Sequence, residues 1–157
     1  MRKSIMALFF ALALFGSAIG QKIEGVWAMT EVTTTGAGGS TEQISQPSMY
    51  IFTKKHYSII FVAADAPRPD VDVATATAED LRKIFVDGFV ANAGTYELKG
   101  GKLTTRPMVA KSPGFMKSDV FVTSSVKVEG NTLTLVSEST KAGPAQNPTT
   151  TKLRRVE

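Results

Sequence analysis

The sequence predicts an all-β domain: an eight-stranded antiparallel up-and-down barrel with one amphipathic helix between its third and fourth strands. Three observations predict it. Apolar and polar residues alternate with period two along most of the chain, in segments rich in threonine, valine and aromatics, which is the pattern of half-buried strands. Gly100-Gly101 and Gly130-Asn131 separate consecutive segments at the two-residue spacing of tight hairpins. One stretch alone switches to helical periodicity. Eight strands joined as neighbours can close into a ring, which removes the exposed edges that invite aggregation. A two-sheet sandwich of the same strands is the rival arrangement.

The elements follow in order. The first strand runs from Ile23 to Thr33, and a soft loop with Gly36, Gly38 and Gly39 follows from Thr34 to Pro47. Ser48 to Thr53 and His56 to Val62 are aromatic strands flanking Lys54-Lys55, which stands at hairpin spacing without the usual Asn-Gly or Asp-Gly. Pro67 and Pro69 break regular structure between Ala63 and Ala76. Thr77 and Asp80 then resemble a capping box, and Leu81, Ile84, Phe85, Gly88 and Phe89 share one face of a helix spanning about Ala78 to Ala91. Thr95 to Lys99 with Lys102 to Arg106 form one hairpin; Val120 to Glu129 with Thr132 to Ser137 form another; Thr150 to Val156 is the last strand.

The N-terminus has a different character. Arg2 and Lys3 precede the apolar run Ile5 to Phe15, and Ala18-Ile19-Gly20 fits the small-x-small cleavage rule, so residues 1–20 are expected to be a signal peptide. The barrel domain is then 21–157, and the mature protein is expected to be exported, periplasmic or secreted, without a stable membrane anchor. A retained anchor is the alternative, but the run is shorter than the roughly 20 apolar residues of a membrane span.

The chain has no cysteine, which excludes disulfides, thiolate metal sites and a lipid-modified cysteine. The formal net charge is +4, of which Arg2 and Lys3 carry two. Lys54-Lys55 and Arg154-Arg155 are pairs, not tracts, so nucleic acid is not an expected partner. With a single histidine, His56, neither a zinc site nor a serine-type triad is expected. Asp65, Asp70, Asp72, Glu79 and Asp80 lack calcium-loop spacing, and no glycine-rich phosphate loop occurs. No cofactor, metal or catalytic residue is therefore assigned.

Gly25-Val26-Trp27 matches a Gly-x-Trp signature, and an ordered set accompanies it: Tyr50-Ile51-Phe52-Thr53 before His56-Tyr57-Ser58, Pro67-Arg68-Pro69, Gly94-Thr95-Tyr96-Glu97-Leu98, and Gly130-Asn131-Thr132-Leu133-Thr134-Leu135. By these residues the mature chain resembles the bacterial lipocalin-like domain family over Ile23 to Val156. The resemblance implies a barrel whose base is closed by Gly25, Trp27 and Arg155, with the guanidinium over the indole. The strand Lys102-Leu103-Thr104-Thr105-Arg106 lacks the histidines that relatives often carry there.

Alternation places candidates for a cavity lining at Met29, Glu31, Tyr50, Phe52, Tyr57, Phe61, Tyr96, Arg106 and Phe121. The helix face is expected to pack over the barrel or its mouth as a cap, with the glycine-rich loop from Thr34 as a lid. The leading expectation is an exported protein that binds a small hydrophobic or amphipathic ligand in the barrel. The alternatives are a cavity enzyme of isomerase, cyclase or hydratase type, in which Glu31 converges with Arg106 or Tyr96, and a structural envelope protein whose barrel is filled.

Overall fold

The computed structural model describes residues 22–36, 38–62 and 66–157; the expected signal peptide lies outside the described residues. The strands are β1 (Gly25–Thr34), β2 (Ser40–Gln43), β3 (Ser48–Phe52), β4 (His56–Val62), β5 (Phe89–Lys99), β6 (Lys102–Ala110), β7 (Val122–Glu129), β8 (Thr132–Thr140), β9 (Gly143–Pro144) and β10 (Thr149–Arg155). Every pairing is antiparallel. Eight of the strands form a closed ring in the order β1-β3-β4-β5-β6-β7-β8-β10 and back to β1. The seam that decides closure is continuous: Trp27 stands opposite Arg155, and Leu153 opposite both Met29 and Leu133. The ring excludes the sandwich arrangement.

The short strands lie outside the ring. β2 pairs with the upper half of β1 while β3 pairs with its lower half, so the expected soft loop contributes a strand segment. β9 adds a two-residue pairing on β8.

The base of the barrel is packed solid. Trp27, Ile23, Leu133 and Leu153 are its largest fully buried side chains. The Trp27 indole N–H donates to the Ile23 carbonyl at 2.8 Å, so the indole is buried with its polar atom satisfied. The Arg155 guanidinium lies 4.0 Å from the Trp27 ring and donates to the Glu24 carbonyl at 2.8 Å. Gly25 makes room for it. Its φ is +130°, and a Cβ there would stand 2.4 Å from Arg155 Nη1 and 2.5 Å from the Glu157 carbonyl. Gly25, Trp27 and Arg155 thus close the base.

The helix is shorter than its periodicity predicts. α1 covers Ala78–Arg82 and continues as a π-turn over Lys83–Asp87. The expected capping box is formed: Asp80 N–H donates to Thr77 Oγ1 at 3.2 Å, and Thr77 N–H to Asp80 Oδ2 at 3.0 Å. Gly88 follows the π-turn, and the chain enters β5 at Phe89, because residues 89–95 gain a full ladder against β4. Helical spacing and strand alternation coincide over this short apolar run, and sheet pairing decides it. The helix does not close the mouth. No helical residue joins the barrel core, and Phe85 and Val86 are 48% and 60% exposed. Cations hold it to the barrel's flank instead. Arg68 donates to the Ile84 carbonyl at 3.2 Å and lies 4.7 Å from the Phe89 ring; Lys111 donates to the Val86 carbonyl at 3.0 Å. These are carbonyls that the end of a helix leaves without intrahelical partners.

Candidate ligand-binding cavity

Above the packed base the interior opens into a cavity of about 210 Å³. Tyr50 and Ile59 reach it from β3 and β4, Asn92 from β5, and Thr105 and Pro107 from β6. Val122 and Ser124 come from β7, Leu135 and Ser137 from β8, and Thr149 and Thr151 from β10. Phe115 joins them from a 3-10 turn, Pro113–Met116, in the β6–β7 connection. That turn, not the helix, contributes an aromatic to the upper wall. The lining is half aliphatic or aromatic and half hydroxyl or amide, with no charged side chain.

Three breaks in strand register occur at the level of this cavity: Thr30 is an added residue on β1, Met108 on β6 opposite Ala93 and Gly94, and Glu138 on β8 opposite Thr123 and Ser124. A bulge adds one residue to one strand, so alternation beyond it changes phase. On β1 the extra residue is Thr30, whose hydroxyl donates to the Lys152 carbonyl at 3.1 Å and whose carbonyl accepts from Ile44 N–H at 2.8 Å. On β6 the extra residue is Met108, and Gly94 of β5 stands opposite Pro107, where a Cβ would stand 2.0 Å from the Arg106 carbonyl oxygen. Proline is tolerated there because the ladder is already interrupted.

The structure corrects several expectations, that for Glu31 through the β1 bulge. Trp27 and Met29 face inward, but beyond Thr30 the inward residue is Val32, and Glu31 faces out. Its carboxylate pairs with Lys152 at 2.7 Å and accepts from Gln43 at 2.9 Å. Those two hydrogen bonds, Lys152 first, hold the carboxyl below the usual carboxylate range. Arg106 also faces out, because its neighbours Thr105 and Pro107 are the inward residues of β6; its guanidinium lies 5.6 Å from the Phe121 ring. Phe121 precedes β7 and does not line the cavity. Tyr96 turns toward the base, where its hydroxyl donates to the Thr53 carbonyl and its ring meets Phe52 edge-on at 5.6 Å. The polar set Glu31, Arg106 and Tyr96 therefore does not converge inside the barrel.

Of the other candidates, Tyr50 lines the cavity, with Phe61 stacked on it at 6.2 Å. Burial raises the Tyr50 phenol pKa, and its hydroxyl has only the Met29 sulfur, at 3.9 Å. Met29, Phe52 and Tyr57 belong to the buried core, with Phe61 packed against it. Sequence reasoning missed Asn92, Phe115 and the hydroxyl residues of β6, β7, β8 and β10. Thr105, Ser124, Ser137 and Thr151 are in phase with the buried Leu103, Val126, Leu135 and Leu153, but as small polar residues they carry no signal beyond that alternation.

The Tyr57 hydroxyl is the one buried side-chain polar atom without a hydrogen-bond partner among the described residues. Burial pushes its pKa up to about 12, and the nearby Thr105 hydroxyl offsets the shift in part. Thr105 itself donates to the Val122 carbonyl at a long 3.3 Å.

The closed meander, the plugged base and the lined interior define a lipocalin-like fold. Neither a family model nor a curated protein matches the chain. Among solved structures the chain is similar to a lipocalin-like protein from Bacteroides uniformis ATCC 8492, with 17% identity and a TM-score of 0.45, over 84% of this chain and 96% of that one. No helix among the described residues is long and apolar enough to cross a membrane.

Proposed function

We propose that this protein is exported and binds a small amphipathic molecule inside the barrel. The observation that carries the reading is the cavity itself: about 210 Å³, walled by Ile59, Val122 and Leu135 on one hand and Thr105, Ser124 and Ser137 on the other. Its size sets the ligand's size. A dry cavity of about 150 Å³ accepts benzene, whereas drug-sized ligands occupy roughly 300–1,000 Å³. A ring-sized or short-chain molecule fits; a haem or a full-length lipid does not. The uncharged lining favours a neutral ligand, because an unpaired charge is expensive to bury.

Native mass spectrometry of the purified mature protein, with ring-sized probes titrated by NMR, tests the reading. The expected result is uptake by the native chain and its loss in Ser124→Phe, which fills the cavity. No uptake by a folded native chain refutes it. Export is checked by the mass of the protein recovered outside the cytoplasm, which is expected to begin at Gln21.

The outer face of the barrel favours a second reading, an envelope protein that works by surface contact. Met49 and Ile60 are cross-strand partners, 49% and 43% exposed, and Val109 on the same side is 67% exposed. Such a patch is a candidate contact surface. Under this reading Ile60→Lys changes the protein's association state and Ser124→Phe changes nothing.

A further inference from the structure

We infer that the bound molecule carries a neutral hydrogen-bond acceptor, a carbonyl or ether oxygen, and that Thr105 receives it with Tyr57 positioned behind. This deepens the cavity-binding reading and rests on it. Two observations support it independently of the cavity's size. The Tyr57 hydroxyl is buried without a partner inside the barrel, and a phenol left so costs free energy unless occupancy of the site satisfies it. Thr105, the cavity-wall residue beside it, spends its proton on a long 3.3 Å bond to the Val122 carbonyl.

A hydroxyl has one proton to donate and two lone pairs to accept with. When an acceptor enters the cavity, Thr105 turns its proton to it. Its lone pair then accepts the proton of Tyr57 Oη. The chain Tyr57 to Thr105 to ligand satisfies both hydroxyls at once, and each bond polarises the next. Tyr57 is held for this role on β4, opposite Gly94, where no side chain intervenes. Tyr57 therefore acts through Thr105 and does not touch the ligand. No cation lines the wall, so a carboxylate gains nothing there that offsets its desolvation.

The test uses three probes of one shape: acetophenone, α-methylstyrene, in which =CH₂ replaces the carbonyl oxygen, and benzoate. Acetophenone is expected to bind native protein about tenfold more tightly than α-methylstyrene, the upper end of one neutral hydrogen bond, with benzoate weakest. Tyr57→Phe and Thr105→Val should each erase most of that preference while leaving α-methylstyrene affinity unchanged; Thr105→Ser should keep it. Without ligand, Tyr57→Phe should melt no lower than native protein, because it removes an unsatisfied group. If acetophenone and α-methylstyrene bind equally, or if Tyr57→Phe leaves the preference intact, the relay is wrong and cavity binding stands. If no probe binds folded native protein, cavity binding fails and the relay fails with it. A lower melting temperature for ligand-free Tyr57→Phe would show that the hydroxyl already has a partner, and would also overturn the relay.

Discussion

Replacing Arg155 with alanine should loosen the base of the barrel by a predictable amount. Three interactions go with the guanidinium. Its position 4.0 Å from the Trp27 ring is worth roughly 0.5–2 kcal/mol as a cation–π contact. Its 2.8 Å bond to the Glu24 carbonyl is a hydrogen bond from a charged donor, worth roughly 1.5–3 kcal/mol. The 3.3 and 3.4 Å bonds to the Glu157 and Lys22 carbonyls are long and exposed and add little. Arg155 is itself half-buried, so the lower parts of these ranges apply, and the expected loss is about 2–4 kcal/mol. For a domain of this size that is roughly 5–15 °C in melting temperature. Urea unfolding followed by the fluorescence of Trp27, the only tryptophan, reads the loss as a lower midpoint at constant slope. Arg155→Lys should recover part of it, since lysine keeps the charge but not the planar fork. In a double-mutant cycle with Trp27→Phe, read by far-UV circular dichroism because that variant lacks the fluorophore, the coupling should reach about 1 kcal/mol. An Arg155→Ala midpoint within about 0.5 kcal/mol of native, as for ordinary surface substitutions, would refute the plug.

The remaining predictions are briefer. Gly94→Ala drives a Cβ to 2.0 Å from the Arg106 carbonyl oxygen, so thermal unfolding should show a loss of at least about 1–3 kcal/mol; a neutral result would mean that the β5–β6 break is absent. Glu31→Gln should leave probe affinity unchanged, because Glu31 faces Lys152 and Gln43 on the outside; a tenfold change would place it in the cavity. In the pH dependence, the Tyr57 phenol is raised from 10.0 to about 12, so above pH 10 the unfolded chain gives up that proton first. Stability should then be flat with respect to this group below pH 10 and fall as pH rises toward 12. Urea midpoints across that range check the sign, and a rising midpoint would contradict the burial of Tyr57.

Much of the fold was legible because strand periodicity, hairpin glycines and the Gly25-Val26-Trp27 motif agree with one another. The hairpin at Gly100-Gly101 and the capping box at Thr77 and Asp80 are local features, and local chemistry determined them. The end of the helix was not legible for the same kind of reason. Leu81, Ile84, Phe85 and Phe89 satisfy a helical face, yet Phe89 and Val90 also satisfy a strand, and only their ladder to Phe61 and Val62 resolves the ambiguity. Nothing in residues 34–47 shows that Ser40–Gln43 will pair with β1, because that pairing depends on the edge β1 offers once β3 has turned away.

The cavity was the least legible part, because the β1 bulge changes the phase at Glu31 and because serines and threonines at inward positions carry no apolar signal. Below the breaks, alternation held: Trp27 and Met29 on β1, Leu133 and Leu135 on β8, and Leu153 on β10 face inward as counted, and all are buried. The breaks lie where the packed base gives way to the cavity: the added residue is Thr30 on β1, Met108 on β6 and Glu138 on β8, and on β1 the alternation changes phase there. Bulges bend a strand and strengthen its twist. Ser124 faces inward by unbroken alternation with Val122 and Val126, and it leaves open the space that a larger side chain would fill. The space therefore depends on small side chains at inward positions: enlarging Ser124 can fill the cavity, whereas shortening an aromatic of the base, such as Phe52, cannot extend it past the level of Met29 without unpacking the core beneath.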